Sequence, residues 1–276
     1  MAVPSSVLSS VPASEPAQTR EAPSPPVRAA LVTGGAQRIG RAIVAALARD
    51  GWAVAVHARA SAAEADALCA AITAAGGVAR TVTADLADHA QVQRLVGAAA
   101  AAVGPLALLV NNASAFERDE IGALDGALFD LHMAVNLRAP VFLAEAFAAQ
   151  VPAGADASVV NIVDQRVYKP TPRFISYGLS KSALHAATTT LAQALAPAVR
   201  VNAVAPGPTL PSPRQDAESF ARQAGAVPLG RGPSPEEIAD AVLYLARARS
   251  VTGETIAVDG GQRLAWQTPD AVGVEE

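Results

Sequence analysis

The chain has 276 residues, 51% of them hydrophobic, and a formal net charge of −4. That composition suits one globular domain with a sizeable core, and its mild acidity gives no electrostatic footing for nucleic acid or an anionic membrane surface. The single cysteine, Cys69, excludes an internal disulfide and fits a reducing, cytoplasmic setting.

Residues 1–26, MAVPSSVLSSVPASEPAQTREAPSPP, are rich in Ser, Pro and Ala and lack periodicity, which predicts a disordered tail. No basic start precedes a continuous apolar stretch, so a signal peptide is not expected, and no apolar run reaches the ~18 residues of a membrane span. From residue 27 short apolar runs alternate with helical stretches. RAALVT leads into IGRAIVAALARDG, a helix stopped by Gly51. WAVAVHA precedes SAAEADALCAAITAAGG, a helix that carries Cys69 as a small apolar residue. VARTVTADL precedes a helix from about Asp88 to Val103, and LALLVNNAS follows.

A long helix is predicted over 126–150, then the run SVVNIVD, a helix from about Phe174 to Leu195, and VRVNAVAPG. Residues 208–233 are long for a connection and read either as a substrate lid or as a surface loop. Ser234 then caps a helix with Pro235 in its first position and Glu237 completing a capping box. ETIAVDGG supplies a last strand and turn. Strands that are apolar throughout belong to a parallel sheet buried on both faces. The expected fold class is therefore α/β, a single doubly wound (Rossmann-type) parallel sheet with helices on both faces and a ligand crevice at the carboxyl ends of its strands. The domain is placed at 27–265, with a C-terminal tail over 266–276 that begins with Trp266, a residue suited to packing against a neighbouring subunit.

Three local features carry chemistry. The strand–turn–helix ALVTGGAQRIGRAI offers glycines and a helix N-terminus to a pyrophosphate, although its spacing is not G-x-G-x-x-G. The second strand ends in VHARAS, with no acid until Glu64 to take a ribose 2′-hydroxyl. His57, Arg59, Ser61 and, from the turn, Arg38 would instead suit a 2′-phosphate, which predicts NADPH. Tyr177 and Lys181, four apart on a helix, are neighbours. An ammonium beside the phenol is expected to favour the phenolate, and a three-unit fall from its usual pKa of ~10 would need roughly 4 kcal/mol.

In these residues the chain resembles the short-chain dehydrogenase/reductase family, whose turn reads T-G-x-x-x-G-x-G. Here the turn runs Thr33-Gly34-Gly35-Ala36-Gln37-Arg38-Ile39-Gly40, with Arg38 in place of the middle glycine. Asp85, the NNAS run from Asn111, Asn136, the Tyr177/Lys181 pair and the Pro206-Gly207 step follow in family order, so the resemblance covers about residues 28–262. It implies that Gly34, Arg38, Ile39, Pro206 and Gly207 contact the cofactor and that Asp85 and Leu86 border the adenine. Asn112, Ala113 and Ser114 would hold the fourth strand against the cofactor. Asn136 would distort its helix and position a water in a proton relay with Tyr177 and Lys181, and the protein would assemble as a homotetramer through its two long helices.

Asp164, thirteen residues before Tyr177, occupies the position where the family has a serine that hydrogen-bonds a substrate carbonyl. Arg38 in the turn, NNASAF ending in Phe116, and Asp164 together are similar to the pteridine reductases and dihydromonapterin reductases. That narrower resemblance implies reduction of a dihydropterin C=N bond, whose nitrogen must gain a proton that a carboxyl group, a water or Tyr177 can feed. Phe116 would stack on the pterin, and Arg38 and Ser114 would contact both phosphates and the pterin's polar edge. Two other readings stay open: a reductase of a small-molecule carbonyl with Asp164 merely tolerated, and a catalytically silent NADPH-binding sensor. His185, one turn past Lys181, reads as an interhelical contact or a residue facing the site. No metal site is expected.

Overall fold

The runs without polar alternation form strands. In the computed structural model, which describes residues 28–266, these are β1 (Ala29–Val32), β2 (Ala53–Ala58), β3 (Ala79–Thr83), β4 (Leu106–Asn111), β5 (Ala157–Ile162), β6 (Val199–Pro206) and β7 (Thr255–Val258). All pair in parallel, in the order β3-β2-β1-β4-β5-β6-β7. Every residue of β1, β2 and β5 is buried, as a sheet covered on both faces requires.

Successive side chains of a strand point to opposite faces, and the core divides accordingly. Ala30 and Val32 join Ile43 and Leu47 of α1 (Arg38–Arg49), Leu68 and Ile72 of α2 (Ala62–Ala74), and Ile238 and Val242 of α8 (Pro235–Arg247). Ala29 and Leu31 join Leu95 of α3 (His89–Val103), Leu143 and Phe147 of α5 (Ala139–Gln150), and Ala192 of α6 (Ile175–Leu195). Caps set several helix starts. The Asp88 carboxylate accepts Ala90 and Gln91 N–H ahead of α3, and Ser234 and Glu237 form the reciprocal box ahead of α8.

The predicted 126–150 helix is interrupted. α4 (Gly126–Met133) passes into a π-turn over Ala134–Arg138, and α5 follows. By length and composition Gly126–Gln150 is long and apolar enough to cross a membrane, where the sequence led us to expect no such run. Here its apolar side packs on the sheet, with Leu143, Ala144 and Phe147 fully buried. Within the 208–233 segment lies α7 (Ala217–Gly225). The expected tail over 1–26 and residues 267–276 lie outside the described residues; Trp266, at their edge, is exposed.

Candidate active site

The carboxyl ends of β1, β4, β5 and β6 open into one cavity of about 1220 Å³. Its floor at the phosphate end is the turn after β1. Asn112 Nδ2 donates to the carbonyls of Thr33 (2.9 Å) and Gly34 (3.0 Å), while Thr33 Oγ1 accepts the N–H groups of Asn112 (2.9 Å) and Ala113 (3.0 Å). A Cβ on Gly34 would stand 3.0 Å from Ala113 Cα, and one on Gly40 would collide with the Gly34 carbonyl. Only glycine permits that close approach, and it leaves a cradle of backbone before the N-terminus of α1. These residues fit a dinucleotide pyrophosphate.

Four of the residues expected to meet the cofactor have further engagements. Gly34 N–H donates to His57 Nδ1 (3.1 Å), so His57 carries its proton on Nε2 and donates it to Ala84 O (3.1 Å). Both nitrogens are used inside the protein, and burial pushes the ring's pKa down, opposed by the Ala84 contact and Asp85. His57 therefore braces the turn as a neutral ring and brings no charge to a phosphate. Arg38 takes φ of 53°, the left-handed region where the family's glycine is at ease. Its guanidinium donates to Pro211 O (2.9 Å) and Leu210 O (3.2 Å), tying the turn to the 208–233 segment. Asp85 accepts Ala87 N–H (2.9 Å) and thereby turns the chain after β3. Glu64 accepts Gln37 Nε2 (3.1 Å) at the cavity wall. Arg59 and Ser61 line the same end, and Arg59 has no ion-pair partner among the described residues.

At the other end β5 delivers Asp164, which starts a short 3-10 turn. One carboxylate oxygen accepts Arg166 N–H (2.9 Å); the other accepts the Tyr177 hydroxyl (2.8 Å) and lies 3.4 Å from the Arg166 guanidinium. Lys181, 2% exposed, donates to the Ile162 carbonyl (2.8 Å). The π-turn brings Asn136 beneath them. Its Oδ1 accepts Ala115 N–H (2.8 Å) and Ser114 Oγ–H (3.2 Å), and its Nδ2 donates to Ala115 O (3.0 Å) and Ser180 Oγ (3.0 Å). An amide side chain has two donors and two acceptor directions. Three are taken by Ala115 and Ser180, and the fourth is shared, because the single Ser114 hydroxyl hydrogen also reaches Ala115 O (3.1 Å).

Phe116 enters the cavity stacked on Phe174 (centroids 4.7 Å apart, planes at 9°) and edge-on to Tyr177 (4.7 Å). The Arg166 guanidinium lies 5.5 Å and 5.1 Å from the Phe116 and Phe174 centroids, and that of Arg214 5.4 Å and 5.9 Å. Near-equal distances to two parallel rings put both cations at the edges of the stack. Arg214 also donates to Phe116 O (2.8 Å) and pairs with Glu117, which closes the 208–233 segment over this end.

Residues 34–263 match the family model described as enoyl-(acyl carrier protein) reductase, one of the short-chain dehydrogenase/reductase models. The chain belongs to the short-chain dehydrogenase/reductase family. A solved structure of FolM alternative dihydrofolate reductase 1 from Brucella canis, complexed with NADP, is 53% identical, with a TM-score of 0.86, covering 89% of this chain and 97% of its own. Pteridine reductase 1 of Leishmania tarentolae is 35% identical (87% of this chain, 98% of the relative). L-xylulose reductase of Bos taurus is 36% identical (85% and 96%).

In this short-chain reductase the phenol does not behave as the Tyr177/Lys181 spacing suggests. Burial, then the charge of Asp164 and its acceptance of the phenol hydrogen, push Tyr177 well above the usual phenol range, against the pull of Arg166. Lys181 is drawn down to about 8 by burial, with Asp164 opposing. Tyr177 is thus a neutral phenol pointing its hydrogen at a carboxylate. His185 faces away from the cavity: its Nδ1 meets Thr255 Oγ1 (3.1 Å) and its ring packs on Tyr168. Arg166, Phe174 and Arg214 line the site although the sequence reading did not single them out. Arg166 had one available signal, its place two residues beyond Asp164.

Proposed function

We propose that the protein reduces the C=N bond of a dihydropterin with NADPH. The observation that carries this reading is the Asp164 carboxylate accepting the Tyr177 hydroxyl at 2.8 Å at the cavity wall. A serine there would donate to a carbonyl oxygen; a carboxylate has no hydrogen to give and would repel one. The acceptor it suits is a ring nitrogen that must gain a proton. The 53% identity to a FolM alternative dihydrofolate reductase supports the reading, and the dihydropterins considered are dihydromonapterin, dihydrobiopterin and dihydrofolate.

When bound, NADPH supplies the hydride for the substrate carbon. The chain's own residues do the rest. The Gly34–Gly40 turn, Ile39, Asn112, Ala113, Pro206 and Gly207 form the cradle for the cofactor, Leu86 and Asp85 border its adenine, and Arg59 and Ser61 face its 2′-phosphate. Phe116 stacks on the pterin, with Arg38 and Ser114 at the pterin's polar edge. The Tyr177 hydroxyl donates its one hydrogen to the Asp164 carboxylate. From this pair one proton passes to the nitrogen as the neighbouring carbon accepts hydride, so one C–H and one N–H form at the former double bond. Lys181 restores charge balance beside the phenol.

The test mixes the protein with NADPH or NADH and a panel of dihydropterins and ketones, following loss of nicotinamide absorbance. Turnover of dihydropterins with NADPH preferred is the expected result. Turnover of ketones alone would establish the carbonyl reading that the L-xylulose reductase relative favours, and equal efficiency with both cofactors would overturn the NADPH assignment. The same reading makes the protein a cytoplasmic homotetramer joined through its long helices. Exposed Phe142 on α5 and Leu179 on α6 support this, and light scattering at the mass of a single chain would refute it.

A further inference from the structure

Two pairs of side chains cross from α4 and its π-turn to α6. Asn136 and Ser180 form one, with Nδ2 donating to Oγ (3.0 Å). His132 and Ser176 form the other, with Nδ1 and Oγ 2.6 Å apart. Each pair lies one helical turn from its counterpart, 132 to 136 and 176 to 180, so they make two rungs between the same elements. The first rung grips the loop after β4 at Ala115, through both its N–H and its carbonyl. The second grips the same loop at Glu117, whose N–H donates to His132 Nε2 (3.2 Å). Phe116 stands between the two grips.

The second rung continues to Asp119. Ser176 donates through its hydroxyl and its backbone N–H (3.1 Å) to the Asp119 carboxylate, and the Asp119 carbonyl accepts Phe174 N–H (2.8 Å). The directions are fixed by what each group can do. Glu117 N–H occupies Nε2, so the His132 proton is on Nδ1 and points to Ser176, whose own hydrogen points to Asp119. His132 and Ser176 are fully buried, and Asp119 is 3% exposed. Burial lowers the His132 pKa, Asp119 and Glu117 opposing, which keeps the ring in the neutral form the chain of bonds requires. None of the three residues lines the cavity.

We infer that His132, Ser176 and Asp119 are positioning residues that hold Phe116 and Phe174, the aromatic wall of the substrate pocket, in register with Tyr177. They act through backbone: Glu117 adjoins Phe116, and Ser176 adjoins Tyr177. Because they grip the substrate loop and leave the cofactor cradle alone, their loss separates substrate from cofactor. The part of this that concerns pterin stacking rests on the dihydropterin reading above.

Ser176→Ala removes the central hydroxyl with little change of shape, and Ser176→Thr restores it. In Ser176→Ala, amide exchange across residues 114–119 should quicken by about tenfold and KM for the dihydropterin should rise by about tenfold. The fall in kcat should be smaller and the NADPH dissociation constant should stay within about twofold, with Ser176→Thr recovering most of the loss. A 15N-detected spectrum of the unaltered protein at pH 7 should show His132 neutral and protonated on Nδ1. Unchanged exchange and KM in Ser176→Ala would overturn the inference. So would an NADPH affinity that weakens in step with KM, or a His132 protonated on Nε2. If the unaltered protein turns over no dihydropterin, the functional reading fails, while exchange and tautomer still decide the network.

Discussion

Replacing Lys181 with methionine should cost activity and raise stability. The ammonium is 2% exposed and has one carbonyl acceptor, Ile162 O at 2.8 Å. Its pKa falls from 10.5 to about 8 on folding. The unfolded chain therefore holds more protons between those values, and stability rises with pH through that window. At pH 7 the group is charged in both states and its burial is a penalty; above pH 10.5 the penalty is gone. At ~1.36 kcal/mol per unit, the penalty is about 3 kcal/mol at pH 7 and about 1.4 kcal/mol at pH 9.5. Lys181→Met keeps the length of the side chain and removes the charge. Urea denaturation at fixed protein concentration should find the variant more stable than the parent at pH 7 by about 1–3 kcal/mol. That margin should shrink by about 2 kcal/mol at pH 9.5, while reductase turnover drops at least ~100-fold at both pH values. A variant less stable than the parent at pH 7, or a margin that ignores pH, would refute the claim that this lysine is held charged against the preference of its surroundings.

Asp164→Ser should lower dihydropterin reduction by about 100-fold or more while leaving NADPH binding intact; steady-state kinetics beside a cofactor titration check this, and unchanged pterin turnover would remove the carboxylate from the mechanism. Arg59→Ser should erode the preference for NADPH over NADH by about tenfold, the scale of a charge-assisted hydrogen bond, in the ratio of kcat/KM values. An unaltered ratio would move 2′-phosphate recognition elsewhere.

Much of the fold was legible because it is written locally. Short, β-branched apolar runs such as AVAVHA, set between helical stretches, fit strands covered on both sides, and the Ser234–Glu237 box marks a helix start within four residues. The backbone also explains the odd residue in the turn: position 38 has a positive φ, which is why a glycine is at home there in the family pattern. Asp164 and Tyr177 were legible as a pair, thirteen positions apart, and meet at 2.8 Å. The direction of the phenol's pKa was not, because i, i+4 spacing names the lysine as neighbour while the hydrogen bond goes to the carboxylate. His57 read as a cofactor contact because it lies at the end of an apolar strand two residues before Arg59, and only the fold puts Gly34 N–H and Ala84 O on its two nitrogens. Arg214 and Phe174 are brought to Phe116 by closures of 98 and 58 residues, and no local period records them. The His132–Ser176–Asp119 bonds join three separate segments, and each residue alone looks like an ordinary helix or loop position.

Arg38 joins two parts of the molecule that a simple glycine would leave independent. Its backbone sits in a conformation that costs an L-residue of order 1 kcal/mol, and its side chain fastens residues 210 and 211 of the 208–233 segment. Two of its five guanidinium hydrogens are committed there, beside the cradle where phosphate would lie. Any ligand that draws that cation inward loosens the strap, and by reciprocity any opening of the strap frees donors for the ligand. The phosphate end of the cavity and the attachment of residues 210 and 211 therefore draw on the same guanidinium.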